Sequence, residues 1–422
     1  MLKFSDYQNS VNNSSKAPLV LYAAGLLGKL ILESLKQKNI TVDYFCDRDE
    51  VKWNTEIKGV KVISPTQLKD LDKNTNIFIC YFTFNSIATF LNDCGFQNLY
   101  VGSELLNDDF VKNITNNTID VRSGYGAIDT NDSDVHSKVI RQIDFYNKMS
   151  FKDDYIREGK LHLKSIDIQI TEICSLKCKD CSNLMQYYTE AKDSDLEMLF
   201  KSIDRFISCI DSLDEFRVLG GDPFMNKNLY KIINKLVTYD KCKSVVVYTN
   251  ARIIPKGENL ECLRNKKVML DITNYGESSS AHEKVIEIAR KENIAFSTLR
   301  TSVWTDSGRI MPYSNKSEKD VENLFSNCCN NDLISLLHGK LYRCPFSANG
   351  VNLKAIPQED SDEVNLIDDS IDITELREKI KKLCFDKKKL TACYYCNGRD
   401  YSTLKIPAAV QTKKPLFFEE VK

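Results

Sequence analysis

Cys174-Ser175-Leu176-Lys177-Cys178-Lys179-Asp180-Cys181 follows closely on Ile166-Asp167-Ile168-Gln169-Ile170. The first stretch spaces three thiols as C-x3-C-x2-C. The second alternates apolar and polar side chains, the period of a half-buried strand. The thiols therefore fall at a strand end and on the loop after it, the edge where an open α/β sheet places its ligands. Three closely spaced thiolates hold three irons of a [4Fe–4S] cube and leave the fourth without a protein ligand, so that iron can bind a small molecule and pass it an electron. Other uses of cysteine compete with this one. A structural zinc site wants a fourth Cys or His at finger-like spacing, and roughly the next two dozen residues hold none. A disulfide needs an oxidising compartment. Fortuitous spacing in a cysteine-rich chain is the remaining alternative.

The residues downstream extend the pattern. A helix is expected over Asp195 to Cys209, then strand Phe216-Arg217-Val218-Leu219 ending in Gly220-Gly221-Asp222-Pro223, about 40 residues after the cysteines. Helix Leu229–Leu236 precedes strand Ser244–Tyr248, which ends in Thr249-Asn250. Strand Lys267–Ile272 carries Asp271, and helix Glu283–Lys291 leads to strand Ile294–Leu299. Together with C-x3-C-x2-C after a first strand, this resembles the radical S-adenosylmethionine (radical SAM) superfamily. The resemblance implies a partial (β/α)6 barrel over residues 160–315. It implies that the methionine amine and carboxylate chelate the open iron. One electron then cleaves the S–C bond and gives a 5′-deoxyadenosyl radical, which abstracts hydrogen from substrate. Gly220, Gly221 and Asp222 match the family's G-G-E-P motif, which sets backbone groups against the methionine amine where only glycine permits the approach. Asn250 stands at the T-N-G position, and Asp271 where the family uses a polar residue against ribose or carboxylate. Read alone, G-G-D-P is a turn and Asn250 a satisfied loop amide. Asp180 departs from the family, whose aromatic or histidine at this position packs on adenine. Aspartate has no stacking face, but it can hydrogen-bond the adenine amine.

A second set of cysteines follows. Cys328-Cys329 precedes a β-hairpin turned at His338-Gly339, then Cys344 and, about 50 residues on, Cys393-Tyr394-Tyr395-Cys396. Four thiols, Cys328, Cys344, Cys393 and Cys396, suffice for one closed auxiliary [4Fe–4S] cluster; a four-cysteine zinc site also fits the spacing. The set resembles the twitch domain, the shortened form of the SPASM domain, over 325–400. Spacing alone leaves Cys328 or Cys329 open. Cys384 reads as the buried face of helix Ile373–Leu383, and the other cysteines as small core residues.

Towards the N-terminus, strand Leu19–Tyr22 runs into Ala23-Ala24-Gly25-Leu26-Leu27-Gly28, a helix and strand Val42–Cys46, ending in Asp47. This A-x-G-x-x-G turn with an acidic residue about 20 positions on matches the dinucleotide fingerprint except at its first glycine. Gly25 and Gly28 would let a phosphate approach the helix N-terminus, and Asp47 would accept a ribose hydroxyl. The segment 17–106 is similar to small Rossmann-like domains fused to enzymes of surface-polysaccharide synthesis; a non-binding scaffold is the plainer reading. Residues 107–134, rich in Asn, Asp, Ser and Thr, read as a linker, and Val135 to Met149 as a packing helix with Val139, Ile143 and Tyr146 on one stripe. The fold class is thus α/β: a Rossmann-like parallel sheet, a partial barrel and a small C-terminal α+β iron–sulfur domain.

Composition sets the remaining bounds. A net charge of −1 over 422 residues points to neither nucleic acid nor an anionic membrane. The N-terminus shows no charged-then-apolar signal, and the most apolar run, Ala17 to Leu32, is broken by Gly25, Gly28 and Lys29. A reducing, cytoplasmic protein that uses cysteine for metal is expected. In the families this chain resembles, an auxiliary cluster beside the SAM cluster either takes the second electron in a net oxidation or orders the substrate pocket; net oxidation of a substrate alcohol is the expectation. Asp306 would serve as hydroxyl-proton base and Arg300 as orienting cation, although a carboxylate in Thr-Asp-Ser-Gly is also an ordinary turn residue. The substrate expected is a small molecule, a sugar or sugar nucleotide, and the electron donor a reduced flavodoxin or ferredoxin. An epimerase would share this core. Peptide-modifying relatives often add an N-terminal recognition module that is not seen here. A non-catalytic iron–sulfur carrier or sensor has no need of an open iron or of G-G-D-P.

Overall fold

The computed structural model describes residues 2–11, 17–81, 84–115, 139, 143, 156–157, 160–331, 333–399 and 403–421. The chain divides into two compact units, Met1–Asp154 and Tyr155–Lys422. The first holds strands β1 (Leu19–Tyr22), β2 (Tyr44–Cys46), β3 (Glu56–Ile57), β4 (Val60–Ile63), β5 (Asn76–Ile79) and β6 (Leu99–Val101). Their order is β3-β4-β2-β1-β5-β6, and every pair is parallel except β3–β4. Every residue of β1 is buried, as a parallel strand covered on both faces requires. Helix Leu26–Gln37 turns Leu27, Leu30, Ile31 and Leu35 inward. The strand order reverses between β1 and β5, a doubly wound arrangement. The expected linker over 107–134 instead begins with helix Asp108–Thr115, whose Phe110 and Ile114 are buried; its remainder and the helix over 135–149 lie outside the described residues, apart from Val139 and Ile143, which are helical and buried.

The second unit contains β7 (Ile156–Arg157), β8 (Lys160–Thr171), β9 (Ser212–Gly220), β10 (Cys242–Thr249), β11 (Val268–Asn274) and β12 (Ala295–Arg300). Strands β8 to β12 lie side by side in chain order and all parallel. Helices Leu196–Cys209, Leu229–Leu236, Glu258–Glu261 and His282–Lys291 make the crossovers. A ribbon of β13 (Val303–Thr305) stands apart from this sheet. Strand β14 (Ser335–Leu337) then pairs parallel with β8 as a sixth parallel strand, and β15 (Lys340–Tyr342) and β16 (Glu363–Asn365) continue antiparallel. The sheet is open, with β12 and β16 as its edges, so the barrel is partial, as expected. The β14–β15 turn takes positive φ at His338 (46°) and Gly339 (83°), the geometry of a tight two-residue hairpin.

Strand β8 corrects one expectation. Ile166, Ile168 and Ile170 face a core shared with Leu199, Ile203 and Phe206 of the first crossover helix. The alternate residues Asp167 and Gln169 are buried as well. Arg217 lies 3.2 Å from the Asp167 carboxylate, and Asn349 donates to Gln169 Oε1 at 2.8 Å. The alternation therefore separates an apolar from a polar interior, not core from water.

Candidate metal centres

Cys174, Cys178 and Cys181 sit on the loop just beyond β8 and pack in one small cluster with Leu176, Tyr275, Trp304 and Ala409. All three are free thiols. Burial pushes Cys178 up to about 12 and raises the other two, with the neighbouring cysteines adding to the effect at Cys174 and Cys178. Metal loading must therefore release protons. The all-sulfur donor set, held at the C-terminal edge of a parallel sheet, suits an iron–sulfur cluster.

The G-G-D-P turn is bound to this loop through its backbone. Gly221 N–H donates to Thr171 O at 2.8 Å and Asp222 N–H to Ile173 O at 3.0 Å. A Cβ on Gly220 would stand 2.2 Å from Thr171 O, and one on Gly221 2.0 Å from Ile173 O. Both glycines are thus required by the approach of β9 to the entry of the cysteine loop. The fully buried Asp222 carboxylate accepts from Phe224 N, Thr249 Oγ1 and Asn250 N at 3.0, 2.9 and 3.1 Å. It joins the G-G-D-P and Thr249-Asn250 turns. Asn250 in turn directs Nδ2 at Cys174 Sγ, 3.6 Å away.

The other expected residues lie as follows. Asp180 is buried, and its Oδ1 accepts from Arg309 Nε. Asp271 registers with Tyr248 on β10 and Ser297 on β12, and accepts from Ser297 Oγ at 3.2 Å. Arg300 is exposed at the end of β12. Asp306 is half-buried, and its N–H donates to Leu404 O at 2.8 Å. In the first unit, Gly25 begins helix Leu26–Gln37 with open space around it, while a Cβ on Gly28 would meet Ala23 O at 2.2 Å. Asp47 accepts from Ala24 N at 2.7 Å, Asp49 N at 2.9 Å and Lys52 Nζ at 3.1 Å. It closes the glycine turn from below, which leaves its carboxylate committed to protein donors rather than to a ribose hydroxyl.

The second set surrounds a cavity lined by Cys328, Cys344, Cys393 and Cys396. Among the described residues, no three His, Cys, Asp or Glu side chains group as ligands of a single ion. Cys328 contributes to the lining; its neighbour Cys329 is exposed. Cys384 packs in the apolar core of the sheet. Ser182, next to Cys181, and Arg399 also line the cavity. Burial raises Cys181 and Cys396, and the Arg399 charge opposes that rise at both, so this cation lies near each set. The sequence reading missed Arg399, Arg309 and Gln411, because their partners are far away in the chain.

Residues 168–295 match the family model of a 4Fe-4S single cluster domain. The GTP 3',8-cyclase of Helicobacter pylori is 26% identical over 157 residues, 36% of this chain and 41% of that protein. The protein of that name from Staphylococcus epidermidis is 26% identical over 145 residues, 32% and 40% of the two chains. The chain thus spans about two fifths of the length of these curated relatives. Among solved structures, BtrN in complex with AdoMet and 2-DOIA aligns over 60% of this chain and 97% of its own, at 14% identity and a TM-score of 0.38. Histidine-tagged anSMEcpe with bound AdoMet aligns over 58% and 92%, at 14% identity and a TM-score of 0.37.

Proposed function

We propose that this chain is a radical SAM enzyme that dehydrogenates a carbohydrate-like or nucleotide-linked alcohol, a reading supported by the match of residues 168–295 to a 4Fe-4S single cluster domain. The observation that carries this reading is the closeness of two thiol sets, with Ser182 and Arg399 lining the Cys328–Cys344–Cys393–Cys396 cavity beside Cys181. Four sulfurs around a cavity suit a second [4Fe–4S] cluster better than one zinc, whose ligands meet about 2.3 Å from a single point. Bound there, the two clusters and SAM supply hydrogen-atom abstraction from a substrate carbon at one end and uptake of the remaining electron at the other.

The chain's own groups do the rest. Cys174, Cys178 and Cys181 would hold three irons of the first cluster and leave the fourth for SAM, with Asn250 Nδ2 beside Cys174 Sγ; Gly220, Gly221 and Asp271 would contribute to the SAM pocket. Tyr248, Asp271 and Ser297 are partly exposed on the polar face of the sheet, beside the Asp167–Arg217 pair, and offer hydrogen bonds to a hydroxylated substrate. Asp306 takes the hydroxyl proton and Arg300 orients the substrate. Hydrogen atom, proton and electron together account for a two-electron oxidation of an alcohol to a carbonyl. A reduced flavodoxin or ferredoxin supplies the starting electron in a reducing cytoplasm, which suits fifteen free cysteines. No helix among the described residues is long and apolar enough to cross a membrane.

The test is anaerobic reconstitution, reduction with SAM present, and mass spectrometry of 5′-deoxyadenosine, with Cys178→Ala as control. Formation by the wild type alone supports the reading, and nucleotide sugars are then screened for faster product formation. No 5′-deoxyadenosine from an iron-loaded wild type, with or without those alcohols, would sink it in favour of a carrier or sensor.

A further inference from the structure

The segment after the second cysteine set has no part in the reading so far, yet it lies on the cysteine loop. Strand β17 (Lys405–Pro407) pairs antiparallel with β13, and Ala408 N–H donates to Ser302 O at 2.9 Å. The chain turns at Ala409, with φ at 55°, and runs along the loop. Lys179 N–H donates to Val410 O, and Thr412 N–H to Lys177 O, each at 2.7 Å. Between them the side chain of Gln411 reaches in. Its Oε1 accepts from Lys177 N–H at 2.7 Å, and its Nε2 donates to Ala409 O at 2.7 Å and to Cys178 Sγ at 3.1 Å.

The orientation of this amide is fixed by its partners. Turned over, it would set Nε2 against the Lys177 N–H and Oε1 against the Ala409 carbonyl, two repulsive contacts in place of two bonds. The group aimed at Cys178 is therefore an N–H. A hydrogen bond to a ligating sulfur stabilises the more negative, reduced state of an iron–sulfur cluster and so raises its potential.

We propose that Gln411 is a positioning residue for the cluster on Cys174, Cys178 and Cys181: its Nε2–H bonds the Cys178 sulfur, holds it turned towards the iron and makes the cluster easier to reduce. This rests on the reading of those cysteines as the SAM-binding cluster, which the Cys178→Ala control tests separately.

The informative variant is Gln411→Glu. It keeps an oxygen for Lys177 N–H, and the backbone bonds from Lys179 N–H to Val410 O and from Thr412 N–H to Lys177 O still hold the strap; its other oxygen replaces the N–H donor that faces both the Cys178 sulfur and Ala409 O. Gln411→Leu removes all three side-chain bonds. Each reconstituted protein is poised at a fixed potential, and the SAM-responsive electron paramagnetic resonance signal is integrated. Because the bond is stronger to the more negative, reduced cluster than to the oxidised one, the ratio of reduced to oxidised cluster should fall severalfold in Gln411→Leu and further in Gln411→Glu. Selective loss of that signal from a folded Gln411→Glu protein also supports the proposal. A ratio equal to wild type in Gln411→Glu would overturn it, as would unfolding of both variants, which would make Gln411 a structural strap only. Absence of any SAM-responsive signal in the wild type would instead count against the cluster assignment itself.

Discussion

Gly221→Ala puts a methyl carbon 2.0 Å from Ile173 O and 2.8 Å from Cys174 N, where ordinary contact begins near 3.4 Å. Both neighbours are backbone, so neither a rotamer change nor a flexible side chain can absorb the overlap. Strand end and loop must separate by roughly 1.4 Å, the shortfall between those distances. That movement falls on two flanking bonds, Gly221 N–H to Thr171 O and Asp222 N–H to Ile173 O. Overpacking strain costs about 1–3 kcal/mol, and a buried backbone group left without a partner about 1–3 kcal/mol. The two together come to about 2–6 kcal/mol, a large share of the 5–15 kcal/mol typical of a folded domain. The assay is urea unfolding of the metal-free chain followed by circular dichroism, paired with iron content after reconstitution. Gly25→Ala, with nothing within 4 Å of its added carbon, is the matched control. The variant at 221 should unfold at clearly lower urea and load less iron, while the control does neither. If Gly221→Ala unfolds at the wild-type midpoint and loads iron fully, the close approach does not hold this loop, and the argument for both glycines fails.

Other outcomes follow from the same geometry. Cys328→Ser should lose about four irons per chain while Cys329→Ser keeps them, because only Cys328 lines the cavity; the opposite pattern would reverse the assignment. Burial alone would raise Glu172, but donors from His338, Lys192 N and Asn352, at 2.8, 3.0 and 2.8 Å, hold it below the usual carboxylate range. Its folded pKa is therefore depressed, so its contribution is present above the unfolded value of about 4.3 and lost as pH falls through the folded one. Glu172→Gln should flatten the acid limb of a plot of urea midpoint against pH, and a limb as steep as wild type would contradict this. Asp47→Ala should destabilise the first unit by about 1–3 kcal/mol by leaving Ala24 N–H without its buried acceptor. An unchanged thermal melt would show that the glycine turn holds without it.

What could be read from the chain alone was what lies close together along it. The three-cysteine loop, the hairpin turn at His338-Gly339 and the turns at the ends of β9 and β10 each form within a few residues, so spacing and turn chemistry reveal them. The order of strand and helix segments likewise sufficed for the α/β class. Tertiary structure decided everything that depends on distant partners. Asp180 pairs with Arg309, 129 residues on, and no local spacing shows that partner. The alternation in β8 could not tell a polar interior from solvent, because Arg217 and Asn349 come from other elements. Cys328 and Cys329 are neighbours in sequence, and only the packing around the end of helix Glu318–Asn327 turns one inward and leaves the other exposed. Gln411 reaches Cys178 across 233 residues, and no local period records such a contact. Local spacing brings ligands together, because a loop confines them; the hydrogen bonds that orient those ligands come from wherever the folded chain returns.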